Sequence, residues 1–142
     1  MIHVFCGKKG SGKTKALIKL ANEKVDEVKG NIVYIDNDTK ATLQLNRKMR
    51  LVATNEFNLK SNNDFYGFLC GMLSKDYDID TIFVDGVFNI VEDKFEHMAQ
   101  LFSKMDALAK KYNVEFYVNI SCESLNPPEF LKNYIVSPQM VI

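Results

Sequence analysis

The chain has 142 residues, a length suited to one domain, 1–142, with a single sizeable core. Hydrophobic residues make up 46% and charged residues 25%, which excludes a disordered or low-complexity chain. Eighteen basic residues balance eighteen acidic ones, so a general nucleic-acid binder is not indicated, and no apolar run approaches the ~20 residues that span a bilayer.

The cysteines, Cys6, Cys70 and Cys122, form no C-x-x-C pair and their number is odd. That usage points to a reducing, cytoplasmic setting in which buried thiols act as small hydrophobes. The opening residues carry no basic region followed by a long apolar segment, so no signal peptide is expected.

Ile2 to Cys6 reads as a short buried strand. Directly after it, Gly7-Lys8-Lys9-Gly10-Ser11-Gly12-Lys13-Thr14 matches G-x-x-x-x-G-K-[ST], a phosphate-binding loop. Its glycines let backbone N–H groups approach an anion. Lys13 reaches β- and γ-phosphates as a mobile charge, and the Thr14 hydroxyl suits Mg²⁺. Lys15 to Val28 reads as a helix, with Leu17, Leu20, Ala21, Val25 and Val28 on the core side and Gly30 as its stop. The helix start adds its free N–H groups and dipole to the loop.

Asn31 to Asp36 is a nearly continuous apolar run, as in a parallel strand buried on both faces. Asp36 and Asp38 follow at its end. Either they serve a nucleotide, by holding a water, magnesium or a ribose, or Asp38 and Thr39 cap the next turn. Residues 39–49 fit a short helix or a loop. Arg50 to Thr54 reads as a strand. A helix capped by Asn63 or Asp64 is expected to run to about Ser74, with Phe65, Phe68, Leu69, Met72 and Leu73 as its apolar stripe. Gly67 and Gly71, four apart, are expected to permit close packing against a sheet.

Thr81-Ile82-Phe83-Val84-Asp85 is an apolar strand ending in an acid. Downstream of a phosphate loop, such an acid is placed to bind magnesium through water. Gly86 occupies the next position, where many hydrolytic enzymes with a similar glycine loop carry a glutamate. Glu56, Glu92 and Asp36 are the substitutes in reach of the reading, and Arg47 and Arg50 the only arginines for a charge-stabilising finger. Residues 92–112 read as one long helix, acidic first and basic last. His97 falls near its polar face, and His3 is read as structural. Val114 to Ser121 is the last major strand, with Asn119 and Ser121 on one side. They either sense a γ-phosphate or satisfy local backbone. Within Leu125 to Tyr134, Pro128 suits the start of a short closing helix through Asn133, and residues 135–142 suit a small edge strand or a tail.

The alternation predicts an α/β three-layer sandwich around a mainly parallel sheet of about five strands. With Gly7–Thr14 and Ile82–Asp85, the chain resembles the P-loop NTPase superfamily. Lys8-Lys9-Gly10-Ser11-Gly12-Lys13-Thr14 and Ile35-Asp36-Asn37-Asp38 are similar to the corresponding segments of chromosome-partition ATPases. There the lysine matching Lys8 reaches a partner subunit's nucleotide. Lys9, however, stands where those loops carry glycine. RecA-like cores and thymidine kinase are the other comparisons. Gly86 and the lack of paired cysteines depart from the kinase. The overall look resembles small bacterial P-loop proteins, some of which carry a twitching-motility label. The resemblance implies an ATP- or GTP-binding protein using Mg²⁺, with Gly7 to Thr14 on the phosphates. Lys13 and Asp85 would be the catalytic groups, and Thr14 and Asp85 would hold the metal. It implies a weak NTPase, alternatively a nucleotide-regulated binding or dimerisation module, or a small-molecule kinase. A homodimer or protein partner would then complete the site.

Overall fold

The computed structural model describes residues 1–91, 95–122 and 127–136. Five strands form one all-parallel sheet: β1 (Ile2–Gly7), β2 (Asn31–Asp36), β3 (Arg50–Ala53), β4 (Ile79–Asp85) and β5 (Glu115–Ser121). Their spatial order is β1-β5-β4-β2-β3. Three long helices flank it: α1 (Lys13–Lys24), α2 (Asn62–Lys75) and, after the single turn α3 (Val87–Ile90), α4 (Met98–Tyr112). The expected three-layer α/β sandwich is therefore the fold.

The strand sequences dictate this arrangement. Tyr34, Ile35, Ile82, Phe83, Val84 and Val118 are all buried, because strands covered on both faces have no polar side. Over one face, α1 and the crossover after β2 contribute Leu17, Ala21, Ala41 and Leu45 against Tyr34 and Phe83. Over the other, α2 and α4 contribute Phe65, Leu69, Phe102 and Met105 against Val33, Ile82 and Val84. The split follows from chirality. The chain advances from β1 through β2 to β3 across one face, then returns through β4 to β5 across the other, as right-handed crossovers require. These reversals open crevices at the carboxyl ends of the strands, where ligands bind in open α/β sheets.

Several boundaries differ from the sequence reading. α1 begins inside the glycine motif at Lys13 and ends at Lys24. Ser61, rather than Asn63 or Asp64, caps α2: its hydroxyl accepts from the Asp64 N–H at 3.1 Å while the Asp64 carboxylate accepts from the Ser61 N–H. The segment expected as one helix over 92–112 is a 3-10 turn at Phe95–His97 followed by α4; residues 92–94 lie outside the described residues. α4 has no acid in its first turn but keeps Lys110 and Lys111 in its last. His97 is exposed, as expected. His3 packs on Tyr117 and lies 2.8 Å from Glu115, a structural role. The closing helix reduces to a 3-10 turn at Glu129–Leu131, after which Ile135 bridges to Val4 on the outer side of β1. Nothing among the described residues is a helix long and apolar enough to cross a membrane.

Two expectations are corrected. Gly67 and Gly71 do not pack against the sheet: a Cβ at either would meet nothing within 4 Å. They border an apolar hollow of about 650 Å³ at the β3 edge, with Val52, Phe57, Phe68 and Met72 in its wall. Nor are the cysteines three separate thiols. Cys6 and Cys122 are joined by a disulfide although 116 residues apart, because β5 pairs with β1; Cys70 is free and half-buried.

Because the Gly71 face of α2 is open, Gly71→Ala should relieve the helix penalty of glycine without a clash. We expect it to stabilise the protein by about 0.5–1 kcal/mol in chemical denaturation. A loss of stability would mean that the position is packed.

Candidate functional site

The glycine loop leaves β1 at Gly7 and enters α1 at Lys13. Gly10 and Gly12 take φ values of 81° and 88°, a left-handed backbone that side chains resist. Gly12 is the N-cap of α1, and no side chain caps that end, so its first N–H groups stay available to an anion. The Ser11 N–H donates to the Lys8 carbonyl at 3.1 Å, closing the turn. Lys13 folds back over it: its ammonium donates to the Lys8 carbonyl at 2.8 Å and lies 3.5 Å from the Ser11 hydroxyl. Partial burial lowers the Lys13 pKa, against the opposing pull of the Asp85 carboxylate. Lys8 and Lys9 are exposed on the loop.

Opposite stands Asp85, at the carboxyl end of β4 and only 6% exposed. Three side chains donate to its carboxylate. Thr14 reaches Oδ1 at 3.1 Å, Asn119 reaches Oδ1 at 2.6 Å, and Tyr34 reaches Oδ2 at 2.9 Å. The neighbours come from α1, β5 and β2, elements that meet only because the strand order sets β4 between β5 and β2. A buried carboxylate without such donors would be strongly unfavourable. Of the two roles left open for Asn119, the structure carries the local one: its side-chain carbonyl also accepts from the Gly86 N–H at 2.5 Å. Burial, then the Asp85 charge, holds the Tyr34 phenol far above its ordinary pKa, so it remains a donor.

Loop and carboxylate face one hollow of about 670 Å³, bordered by Lys9, Gly12, Lys13, Thr14, Asp85 and Ser121. The motif and the strand-end acid, 71 residues apart at their point of contact, are thus brought together. Tyr34 is the member that the sequence reading missed. Its signal was slight: one phenol in an otherwise aliphatic strand, two residues before Asp36.

The remaining candidates separate. Gly86 has φ of 74°, and a Cβ there would lie 2.8 Å from the Asn89 amide nitrogen, so a glutamate at this position would be strained. Glu56 sits in an exposed turn after β3, and Glu92 lies outside the described residues. Arg50 opens β3 at the opposite, amino end of the sheet, and Arg47 is exposed on the crossover. Asp38 serves its own turn, accepting from the Lys40 N–H at 3.0 Å. Asp36 is half-buried at the end of β2; burial, then repulsion from Asp85, pushes its pKa up to about 6. Among the described residues no cluster of three or more His, Cys, Asp or Glu side chains could hold a metal. A Mg²⁺ held chiefly by phosphate oxygens and water needs none, and the adjacent Thr14 hydroxyl and Asp85 carboxylate fit that mode.

The Asp36 shift carries a sign. Its folded pKa lies above the ordinary 3.8, so the folded chain holds the proton more tightly and loses stability as pH rises from about 4 to about 6. Asp36→Asn should therefore melt higher than wild type at pH 7.5, with the difference vanishing by about pH 4. Parallel thermal melts across that range check it; a constant difference would refute the assignment.

No protein-family model matches this chain, and no relative among curated proteins is found for it, so a functional reading rests on the arrangement around Asp85.

Proposed function

We propose that this protein binds a nucleoside triphosphate with Mg²⁺ and hydrolyses it slowly, as a compact P-loop NTPase. One observation carries the reading: the Thr14 hydroxyl, on the first turn after the glycine loop, lies 3.1 Å from the Asp85 carboxylate. A threonine and a strand-end acid that share a magnesium ion must converge in this way. Gly7, Lys8, Lys9, Gly10, Ser11, Gly12, Lys13 and Thr14 would surround the phosphates with backbone N–H groups and the Lys13 charge. The bond from Lys13 to the Lys8 carbonyl would be exchanged for one to a phosphate. Thr14 would ligate the metal directly. Asp85, whose oxygens already accept three hydrogen bonds, would act on it through water. The metal would supply charge neutralisation; the chain's own residues supply positioning. ATP is favoured over GTP because the chain has no N-K-x-D guanine signature. Such a reaction suits the cytoplasm.

A second reading draws on Gly86. Its left-handed backbone keeps a glycine, and no glutamate, directly after Asp85, which favours a nucleotide-controlled binding or dimerisation module. A partner or second copy would then complete the site or be gated by it.

Calorimetric titration of MgATP separates these readings when paired with phosphate-release and light-scattering assays. Lys13→Ala should weaken affinity about 10–100-fold, the loss expected for a charge-assisted contact. Asp85→Asn should remove the magnesium dependence while leaving some nucleotide binding. Magnesium-dependent phosphate release from wild type supports hydrolysis. Nucleotide-dependent dimerisation without release supports the module, and turnover only with an added nucleoside supports a kinase. Equal, negligible binding by wild type and Lys13→Ala would overturn all of them.

A further inference from the structure

We propose that Cys6 and Cys122 form a thiol–disulfide modification site that sets the affinity of the neighbouring phosphate loop. The inference rests on the nucleotide-binding reading above. Cys6 is the penultimate residue of β1, and the next residue, Gly7, opens the loop. Cys122 directly follows Ser121, the last residue of β5, which borders the hollow. Gly7 lies opposite Ser121 in the sheet, and the Cys122 N–H donates to the Gly7 carbonyl at 2.9 Å. The sulfur bridge therefore ties the root of the loop to the strand that carries Asn119, a hydrogen-bond donor to Asp85.

The location suits reversible chemistry. The two Cα atoms lie 5.8 Å apart, within the ordinary range for a disulfide, and the pairing of Gly7 with Ser121 together with the bond from the Cys122 N–H to the Gly7 carbonyl keeps both thiols in reach after reduction. Both residues are half-buried, hence open to a small thiol. Cys70 lies on α2, too far along the chain's other layer to belong to this ladder. The bond is not needed to supply a core: buried Phe, Ile, Val and Leu residues cover both sheet faces. In a reducing compartment, cysteine pairs of this kind are used transiently or as sensors.

The exchange balances. Reduced Cys6 and Cys122 give up two electrons and two protons to a low-molecular-weight disulfide, RSSR. One protein thiolate attacks a sulfur of RSSR and expels RS⁻; the second attacks the resulting mixed disulfide and expels another RS⁻. Two RSH are released as the Cys6–Cys122 bond forms. In the oxidised state Gly7 departs from a pinned root, and the loop meets an anion with less backbone left to order. The oxidised protein therefore binds nucleotide more tightly, and by linkage nucleotide protects the bond from reduction to the same degree.

The test poises the full chain in oxidised or reduced glutathione, counts alkylated thiols by mass, and measures MgATP affinity in each state. We expect ~5–10-fold tighter binding in the oxidised state, within the usual span of coupling between sites. Cys6→Ser and Cys122→Ser should each bind at the reduced level in both buffers, with circular dichroism verifying their fold. Saturating MgATP should shift the glutathione ratio for half-oxidation by the same factor. Alkylation of both cysteines in oxidising buffer overturns the proposal, as does equal, measurable affinity in the two states. If neither state binds MgATP and Lys13→Ala behaves identically, the nucleotide reading itself fails and the coupling falls with it.

Discussion

The buried carboxylate of Asp85 is the constraint on which the rest of this structure depends. A carboxylate at 6% exposure is costly unless its oxygens are occupied by donors. Thr14, Tyr34 and Asn119 supply them from a helix and two strands, so satisfying one charge fixes the mutual placement of α1, β2, β4 and β5. Each donor is held by its own element rather than by a loop. That rigidity is what a site needs when its chemistry is positioning and electrostatics.

The same cluster stores electrostatic tension. Burial first, and then the Asp85 charge, raise the Asp36 pKa to about 6, while the Lys13 ammonium donates to its own loop at the Lys8 carbonyl. In the nucleotide reading proposed above, a cation and a polyphosphate would sit in the hollow between loop and carboxylate. At Gly86 the backbone turns left-handed to start the short α3, a conformation that suits glycine. The apolar hollow at the β3 edge has similar volume but no comparable convergence of buried polar groups.

Much of this was readable in advance, for identifiable reasons. The strand Asn31–Asp36 has the same bounds in sequence and structure, because an uninterrupted apolar run between a glycine and an acid admits few alternatives. The permissive backbone expected of the glycine motif is seen in the left-handed Gly10 and Gly12, a consequence of residue type alone. The reading of 92–112 as one helix failed because apolar spacing continues through a 3-10 turn, whose period differs little from that of an α-helix over a few residues. The closing helix failed because the chain there turns back to hydrogen-bond with Val4, which local propensity cannot register.

Residue order by itself determined the layers, the parallel sheet and the glycine-rich loop between β1 and α1. These follow from local periodicity, from glycine's backbone freedom and from the chirality of crossovers. Which strands became neighbours was decided only in three dimensions. With β5 placed between β1 and β4, Asn119 reaches Asp85 and Cys6 reaches Cys122; with β2 beside β4, Tyr34 and Asp36 crowd the same carboxylate. Strand order reflects the balance of burial over two whole faces, a long-range sum that no local stretch of residues contains.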